Sequence, residues 1–316
     1  MMQPYQTDIL GMPFQYRTLE FPDDYEGKVI ATLIKRESNK KTSKAVLYIH
    51  GFNDYYFQKE LAEWFNNNDF DFYAVDLRKY GRSWQPHQKL NNVRNLREYD
   101  EEIRKGIQTI QQEGHNEIIL MGHSTGGLIL TNFVSRYHNP SIKGIILNSP
   151  FYDFNLEGFK RNIIIPIGAW VGKFAPNMKT AGGFNELYGK GLHKDYDGEW
   201  DYNLAWKPHV PPKINLGFIR AIYTAQNEVR EGVKSPYPIL IMHSDKSTYP
   251  KRMNEDVFNS DIILNIEHIK KGGTHIEGSV KDMTIKDGIH DLILSRNEVR
   301  KVVYSEMHNF IQSLNL

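Results

Sequence analysis

Glu117-Ile118-Ile119-Leu120-Met121 runs without a break into Gly122-His123-Ser124-Thr125-Gly126-Gly127. The first five residues have the make-up of a buried strand, Gly127 to Tyr137 that of a helix, and the junction sets glycines two residues either side of a serine. Glycines at those positions answer a steric need. A serine on so sharp a strand-to-helix turn is strained, and side chains two residues away would collide with neighbouring backbone. Such a serine is lifted above its sheet and sits at a helix head, where free N–H groups and the helix dipole favour negative charge. A chance match in an ordinary strand-to-helix turn is the bland alternative; the strand before, the helix after and the extra Gly127 weigh against it.

Working outward, the same rhythm recurs. Gln15–Phe21 and Lys28–Lys35 read as strands, and Ala45–Ile49 as a buried strand ending at His50-Gly51. A helix from Phe57 to Phe65 and a strand from Phe70 to Val75 follow. The charged helix Leu96–Gln112 carries Ile103, Ile107 and Ile110 on one face, and Ile142–Asn148 is the strand after the glycine-flanked turn. Strands separated by helices mean right-handed crossovers and a doubly wound, mainly parallel α/β sheet. From Pro150 the rhythm breaks. Pro166, Pro176, Pro208, Pro211 and Pro212, with Trp170, Trp200 and Trp206, mark residues 150–235 as an inserted, mostly helical cap on a core of residues 1–149 and 236–316. The core resumes with the strand Pro238–Met242, a last strand Asp282–Lys286 and a closing helix Asn297–Leu314.

Composition narrows the function. Lys and Arg number 39 against 38 Asp and Glu, so no net field draws nucleic acid or an anionic membrane. With no cysteine, disulfides, thiolate catalysis and Cys-type zinc sites are excluded together. The histidines are scattered and form no H-E-x-x-H, and neither G-x-G-x-x-G nor a P-loop lysine is present, so neither metal nor nucleotide cofactor is expected. Met1 to Asp8 lacks the basic start and apolar run of a signal peptide, and Ile163–Gly172, interrupted by Pro166, falls far short of the ~20 residues of a membrane helix. The expectation is a cytoplasmic protein without a transmembrane segment; its oligomeric state is not readable.

The elbow in this context resembles the α/β-hydrolase superfamily over nearly the whole chain outside the cap. Within it, the His50-Gly51 loop, the Gly-His-Ser-Thr-Gly elbow and the cap position are similar to the lysophospholipase and monoacylglycerol-lipase group, also grouped with serine aminopeptidases. The resemblance implies Ser124 as nucleophile and an oxyanion hole made by the backbone N–H groups of Phe52 and Thr125. It also makes Asp76-Leu77-Arg78-Lys79-Tyr80-Gly81-Arg82-Ser83 a structural turn. Because the triad in this fold runs serine, acid, histidine, the base belongs after the last strand. His290, in His-Asp-Leu, fits; His275, which precedes that strand, reads as a turn residue.

Two aspartates compete to orient His290. Asp245 lies just past the strand Pro238–Met242, where a strand's carboxyl end delivers such a group. Asp261 precedes a helical segment, similar to the family's Asp-x-x-Val. A helix, a strand and two loops need roughly 25–30 residues. His290 lies 29 residues after Asp261 and 45 after Asp245, which favours Asp261 at the cost of a long excursion over residues 244–260.

The implied reaction is hydrolysis of carboxylic esters through an acyl-enzyme on Ser124. Phe151, Phe154, Phe159, Ile163–Ile165, Trp170 and Phe174 make either an apolar acyl slot or the cap's own small core. Peptidase action of the serine-aminopeptidase type stays open, with Glu157, Glu186 and Glu199 as carboxylates for a substrate amine. So does an inactive binding protein on the same fold.

Overall fold

In the computed structural model, which describes residues 4–180 and 185–316, the strands are β1 (Gln6–Thr7), β2 (Gln15–Asp24), β3 (Gly27–Arg36), β4 (Lys44–Ile49), β5 (Asp71–Asp76), β6 (Glu117–His123), β7 (Ile142–Asn148), β8 (Val233–Lys234), β9 (Ile239–Ser244), β10 (Ile276–Glu277) and β11 (Val280–Ile285). Nine of them form one sheet in the order β1-β2-β3-β5-β4-β6-β7-β9-β11. From β5 to β11 every neighbouring pair is parallel, and β1, β2 and β3 add an antiparallel edge. The doubly wound, mainly parallel sheet expected from the alternation is the one observed.

Burial on both faces explains the apolar strands. Leu47, Ile49, Val75, Leu120, Leu147 and Ile241 face one core, shared with the helices α2 (Asp100–Gln112), α3 (Thr125–Arg136) and α8 (Ile266–Gly273). Val46, Tyr48, Phe72, Met121, Ile146 and Met242 face the other, under α1 (Lys59–Asn67) and α9 (Asn297–Ser313). The helix expected over Leu96–Gln112 is two pieces, a tight turn Leu96–Tyr99 and then α2. Asn95 and Glu98 form a capping box there that closes the first turn on itself.

The glycine turn after β5 is structural, as the resemblance implied. Asp76 accepts N–H groups from Tyr56 and Arg82, and Arg82 bridges Asp76 and the buried Asp8 at 2.7 Å each. Gly81 has φ +46°, and a Cβ there would lie 2.5 Å from Asp76 Oδ2.

Between β7 and β8 the chain makes a wide turn at Lys160–Ile164 that runs straight into α4 (Ile165–Gly172). Pro166 lies inside this continuous helical run with no N–H to give, and the wide turn just before it, where Ile165 N–H reaches back to Lys160 O, accommodates the ring. A short α5 (Leu187–Leu192) and a long irregular stretch lead to α6 (Leu216–Glu231), and a single-turn α7 (Asp256–Asn259) lies between β9 and α8. α6 packs on α3 and supports α4, and its Phe218, Ile222 and Ala225 join the sheet-side core. Among the described residues no helix is long and apolar enough to cross a membrane.

Candidate active site

Strand β6 delivers Ser124 at φ 52°, ψ −114°, a region costly for a non-glycine residue, by about 1–3 kcal/mol. Surrounding backbone holds it there. Ser124 N–H donates to Asn148 O at 2.9 Å, while Ser124 O accepts from Phe151 N–H at 3.0 Å and Leu128 N–H at 3.2 Å. The flanking glycines are obligatory. A Cβ on Gly122 would lie 2.7 Å from the Gly126 backbone, and one on Gly126 would strike the carbonyls of Ile49 and His50. Thr125 opens α3, where first-turn N–H groups have no partner within the helix.

The turn after β4 lies directly against this elbow, since a Cβ on Gly51 would be 3.1 Å from Ser124 Cβ. His50 secures that turn. Its Nε2 accepts the Leu77 N–H at 3.0 Å, so its Nδ1 carries the proton and donates to Gly51 O at 2.8 Å. Burial pushes the His50 pKa down and keeps the ring neutral. Phe52 follows, its ring 5.1 Å from that of Phe218 on α6.

His290, buried after β11, places Nε2 3.0 Å from Ser124 Oγ and Nδ1 2.9 Å from Asp261 Oδ2. Asp261 is fully buried, and its other oxygen accepts the N–H groups of Ile263 at 2.8 Å and Leu264 at 2.7 Å. The chain reaches Asp261 by a detour. Ser247 pairs with Asp261 as an isolated bridge, and Thr248 N–H donates to Asp261 O, so residues 249–260 leave and return at one point. That closure is why an acid so far beyond β9 still arrives at its carboxyl end. Asp245 does something else: it accepts the Asp287 N–H at 2.9 Å and pins the turn that leads to His290. His275 lies before the amino ends of β9 and β11, its carbonyl accepting Val233 N–H, at the opposite end of the sheet from Ser124.

Next to Ser124, His290 and Asp261 sits a second polar layer. Asp54 and Asp291, each 1% exposed, face His123 Nδ1 at 3.6 and 3.8 Å, and the His123 ring lies 4.9 Å from that of His290. Lys207 Nζ bonds Asp54 Oδ1 at 2.8 Å, and Asn148 Nδ2 donates to Asp291 Oδ1 at 2.6 Å. Burial alone would push the Asp54 carboxyl up; Lys207 and then His123 hold it below its usual range. Asp54, His123 and Asp291 are also the described residues whose potential metal-ligand atoms converge, within 4.8 Å of one another, although an ammonium already lies on one of them. Sequence reasoning missed Asp54, Lys207 and Asn148, because nothing local marks them. Their convergence is made by three different chain segments, the turn after β4, the end of β7 and the stretch before α6.

Residues 40–260 match the model of the family described as Serine aminopeptidase, S33. The chain belongs to that family. Phospholipase YtpA of Bacillus subtilis (strain 168) is 28% identical over 141 residues, covering 44% of this chain and 52% of that protein. Epoxide hydrolase 3 of Xenopus tropicalis is 30% identical over 130 residues, 38% of this chain and 32% of that one. The chain thus spans about half the length of the first curated relative and a third of the second. Two solved lipases share the fold. A soluble variant of monoglyceride lipase from Saccharomyces cerevisiae, in complex with a substrate analog, superposes with a TM-score of 0.67 at 17% identity, covering 99% of each chain. Monoacylglycerol lipase of Paleococcus ferrophilus gives 0.64 at 17% identity over 95% of this chain and 99% of that one. The resemblance to the lysophospholipase and monoacylglycerol-lipase group therefore stands, and the S33 chain has the α/β-hydrolase fold.

The apolar residues expected to line a slot or fill a small core divide. Phe154 and Ile165 are buried, and Phe151 packs partly buried against Phe154. Phe159, Ile163, Ile164, Trp170 and Phe174 instead stand 46–70% exposed, joined by Ile167 and Met178, so the group as a whole forms no core. Of the three glutamates weighed for binding an amine, Glu186 pairs with Lys190 at 2.6 Å and Glu199 pairs with Arg300 on α9. Glu157 is exposed.

Proposed function

We propose that this S33 protein is a serine hydrolase that cleaves carboxylic esters of apolar acyl groups through an acyl-enzyme on Ser124. The observation that carries the reading is the relay Ser124 Oγ, His290, Asp261, with both links at hydrogen-bond distance and all three side chains buried. His290 takes the serine proton as Oγ attacks the carbonyl carbon, and returns it to the leaving alcohol. Water then repeats the step on the acyl-enzyme. Asp261, anchored by two backbone N–H groups, keeps the proton of His290 on Nδ1 so that Nε2 is free to accept. The backbone N–H groups of Phe52 and Thr125 receive the oxyanion, each such donor being worth about 10²–10³ in rate.

We read residues 150–235 as a cap over this centre, with α6 rooted in the core. The exposed apolar side chains from Phe159 to Met178 support an acyl substrate, since they present hydrocarbon to solvent beyond the ring contact of Trp170 with Phe174. Peptide substrates have less support: two of the three glutamates are already paired with cations.

The test is a fluorophosphonate label followed by p-nitrophenyl esters of increasing chain length, run beside aminoacyl p-nitroanilides. Labelling confined to Ser124 and catalytic efficiency that climbs with chain length are expected, at up to ~0.8 kcal/mol per buried methylene. Turnover of the anilides alone would move the protein to the peptidases.

A further inference from the structure

Resting on the hydrolase reading, a further role falls to the histidine inside the elbow. His123 is buried, neither of its ring nitrogens has a hydrogen-bond partner, and a Cβ on Gly51 would lie 3.1 Å from its Nδ1. A ring placed only to fill space would not face two buried carboxylates at 3.6 and 3.8 Å. Those carboxylates, Asp54 and Asp291, have a single lysine between them, Lys207 on Asp54 Oδ1, and Asp291 is otherwise held by neutral amides, Asn148 at 2.6 Å and Gln58 at 3.4 Å. Two buried anions against one cation leave a net charge of −1 in a low-dielectric layer, which is costly unless a second positive charge is present.

We propose that His123 is that charge: it is an imidazolium that, with Lys207, neutralises Asp54 and Asp291 and so keeps the layer beneath His290 electrically silent. His123 is then a positioning residue acting through the base. The remaining titratable groups facing the layer do not upset the balance. His50 is kept neutral by burial, and burial holds the hydroxyls of Tyr48 and Tyr188 protonated. Burial alone would push His123 down, but Asp291 and Asp54 carry it above its ordinary value, in keeping with the charged form.

The sign of the effect follows. Were His123 neutral, the layer would hold −1, favour the protonated form of His290 4.9 Å away between ring centres, and withhold the base until a higher pH. Removing an anion does the reverse.

Three variants test the charge balance through the acidic limb of kcat/KM against pH. His123→Gln leaves −1 and should move the limb up by about one to two pH units, the order expected for one charge at this range in a partly screened interior. Asp54→Asn should move it down by a similar amount. The double variant, neutral again, should return near the wild-type limb even where its kcat has fallen. A merely structural role would lower kcat in all three with the limb unmoved, and that result overturns the proposal.

A direct reading does not depend on turnover. In the Ser124→Ala protein, histidine NMR near pH 7 should show His123 with both nitrogens protonated. A neutral tautomer, or one equivalent of tightly held metal lost in Asp54→Asn, overturns the assignment while leaving the hydrolase reading to be judged by labelling.

Discussion

The layer under Ser124 and the stretch from Phe159 to Met178 follow opposite rules. In the first, charged groups are shut away from water and held by named partners: Asp261 takes three hydrogen bonds, and Asp54 and Asp291 are each fixed by a neighbour. In the second, large apolar side chains are left in solvent, Trp170 at 66% and Phe174 at 67%. Isolated burial of charge and isolated exposure of hydrocarbon are both unfavourable, so each region needs a reason outside its own stability. For the buried layer the proposed reason is preorganisation, because groups already fixed around His290 need not reorganise during the proposed attack by Ser124. For the exposed stretch the proposed reason is the acyl substrate. On this proposal chemistry is set by the buried layer and selectivity by the surface, and substitutions in the two regions should fail differently.

The largest loss is expected from Ser124→Ala. Phosphonate labelling should vanish and ester turnover fall by at least about a thousandfold, with the far-UV spectrum unchanged. Retained labelling would place the nucleophile elsewhere and dissolve the comparison. His290→Ala should be nearly as damaging, and His275→Ala close to neutral.

Next comes Asp261→Asn. An amide cannot hold His290 in the tautomer that leaves Nε2 free, so kcat should drop by roughly three to four orders of magnitude. Asp245→Asn, which only loosens the Asp287 turn, should cost less than about tenfold. The ratio of the two kcat values separates the acid from the turn anchor, and a reversed order would give Asp245 the role.

The exposed stretch should behave as a selectivity surface. Trp170→Ser with Phe174→Ser should lower kcat/KM for long-chain esters about tenfold or more while leaving acetyl esters nearly untouched. Because both residues face solvent, unfolding free energy measured by urea should change by no more than about 0.5 kcal/mol. Equal losses on short and long esters would make the stretch structural and remove half of the contrast.

The smallest effect concerns acid stability. The Asp54 carboxyl is held below its usual range by Lys207 and His123, against its burial. A lowered folded pKa contributes stability that is present above the unfolded value, about 3.9, and is lost as pH falls through the folded one. Asp54→Asn should therefore be less stable at neutral pH and lose less on acidification below about pH 4. Urea midpoints taken from pH 6 to pH 2 would show the curves converging; parallel curves would mean that Asp54 is not held by its cations.

Much of this was legible in residue order, for physical reasons that differ from element to element. Buried parallel strands need continuous apolar runs and the elbow needs glycines at two fixed offsets, so Ala45–Ile49, Glu117–Met121 and Gly122–Gly126 declare themselves. The spacing of Asp261 and His290 was readable because a helix and a strand have a minimum length. What could not be read was the detour closed by Ser247 against Asp261, since pairing across a loop leaves no local pattern. Nor could the outward face of Ile163 to Phe174 be read: a stretch apolar on all sides has no periodicity to show which side meets the core.

Sequence alone thus determined the sheet, the elbow and the 29-residue spacing that favours Asp261 as the partner of His290, because these depend on steric needs of neighbouring residues and on segment length. Tertiary structure alone decided the layer of Asp54, His123, Lys207 and Asp291. Its members come from the turn after β4, the end of β6, the stretch before α6 and the loop after β11, and their charges acquire meaning only when folding removes the water between them.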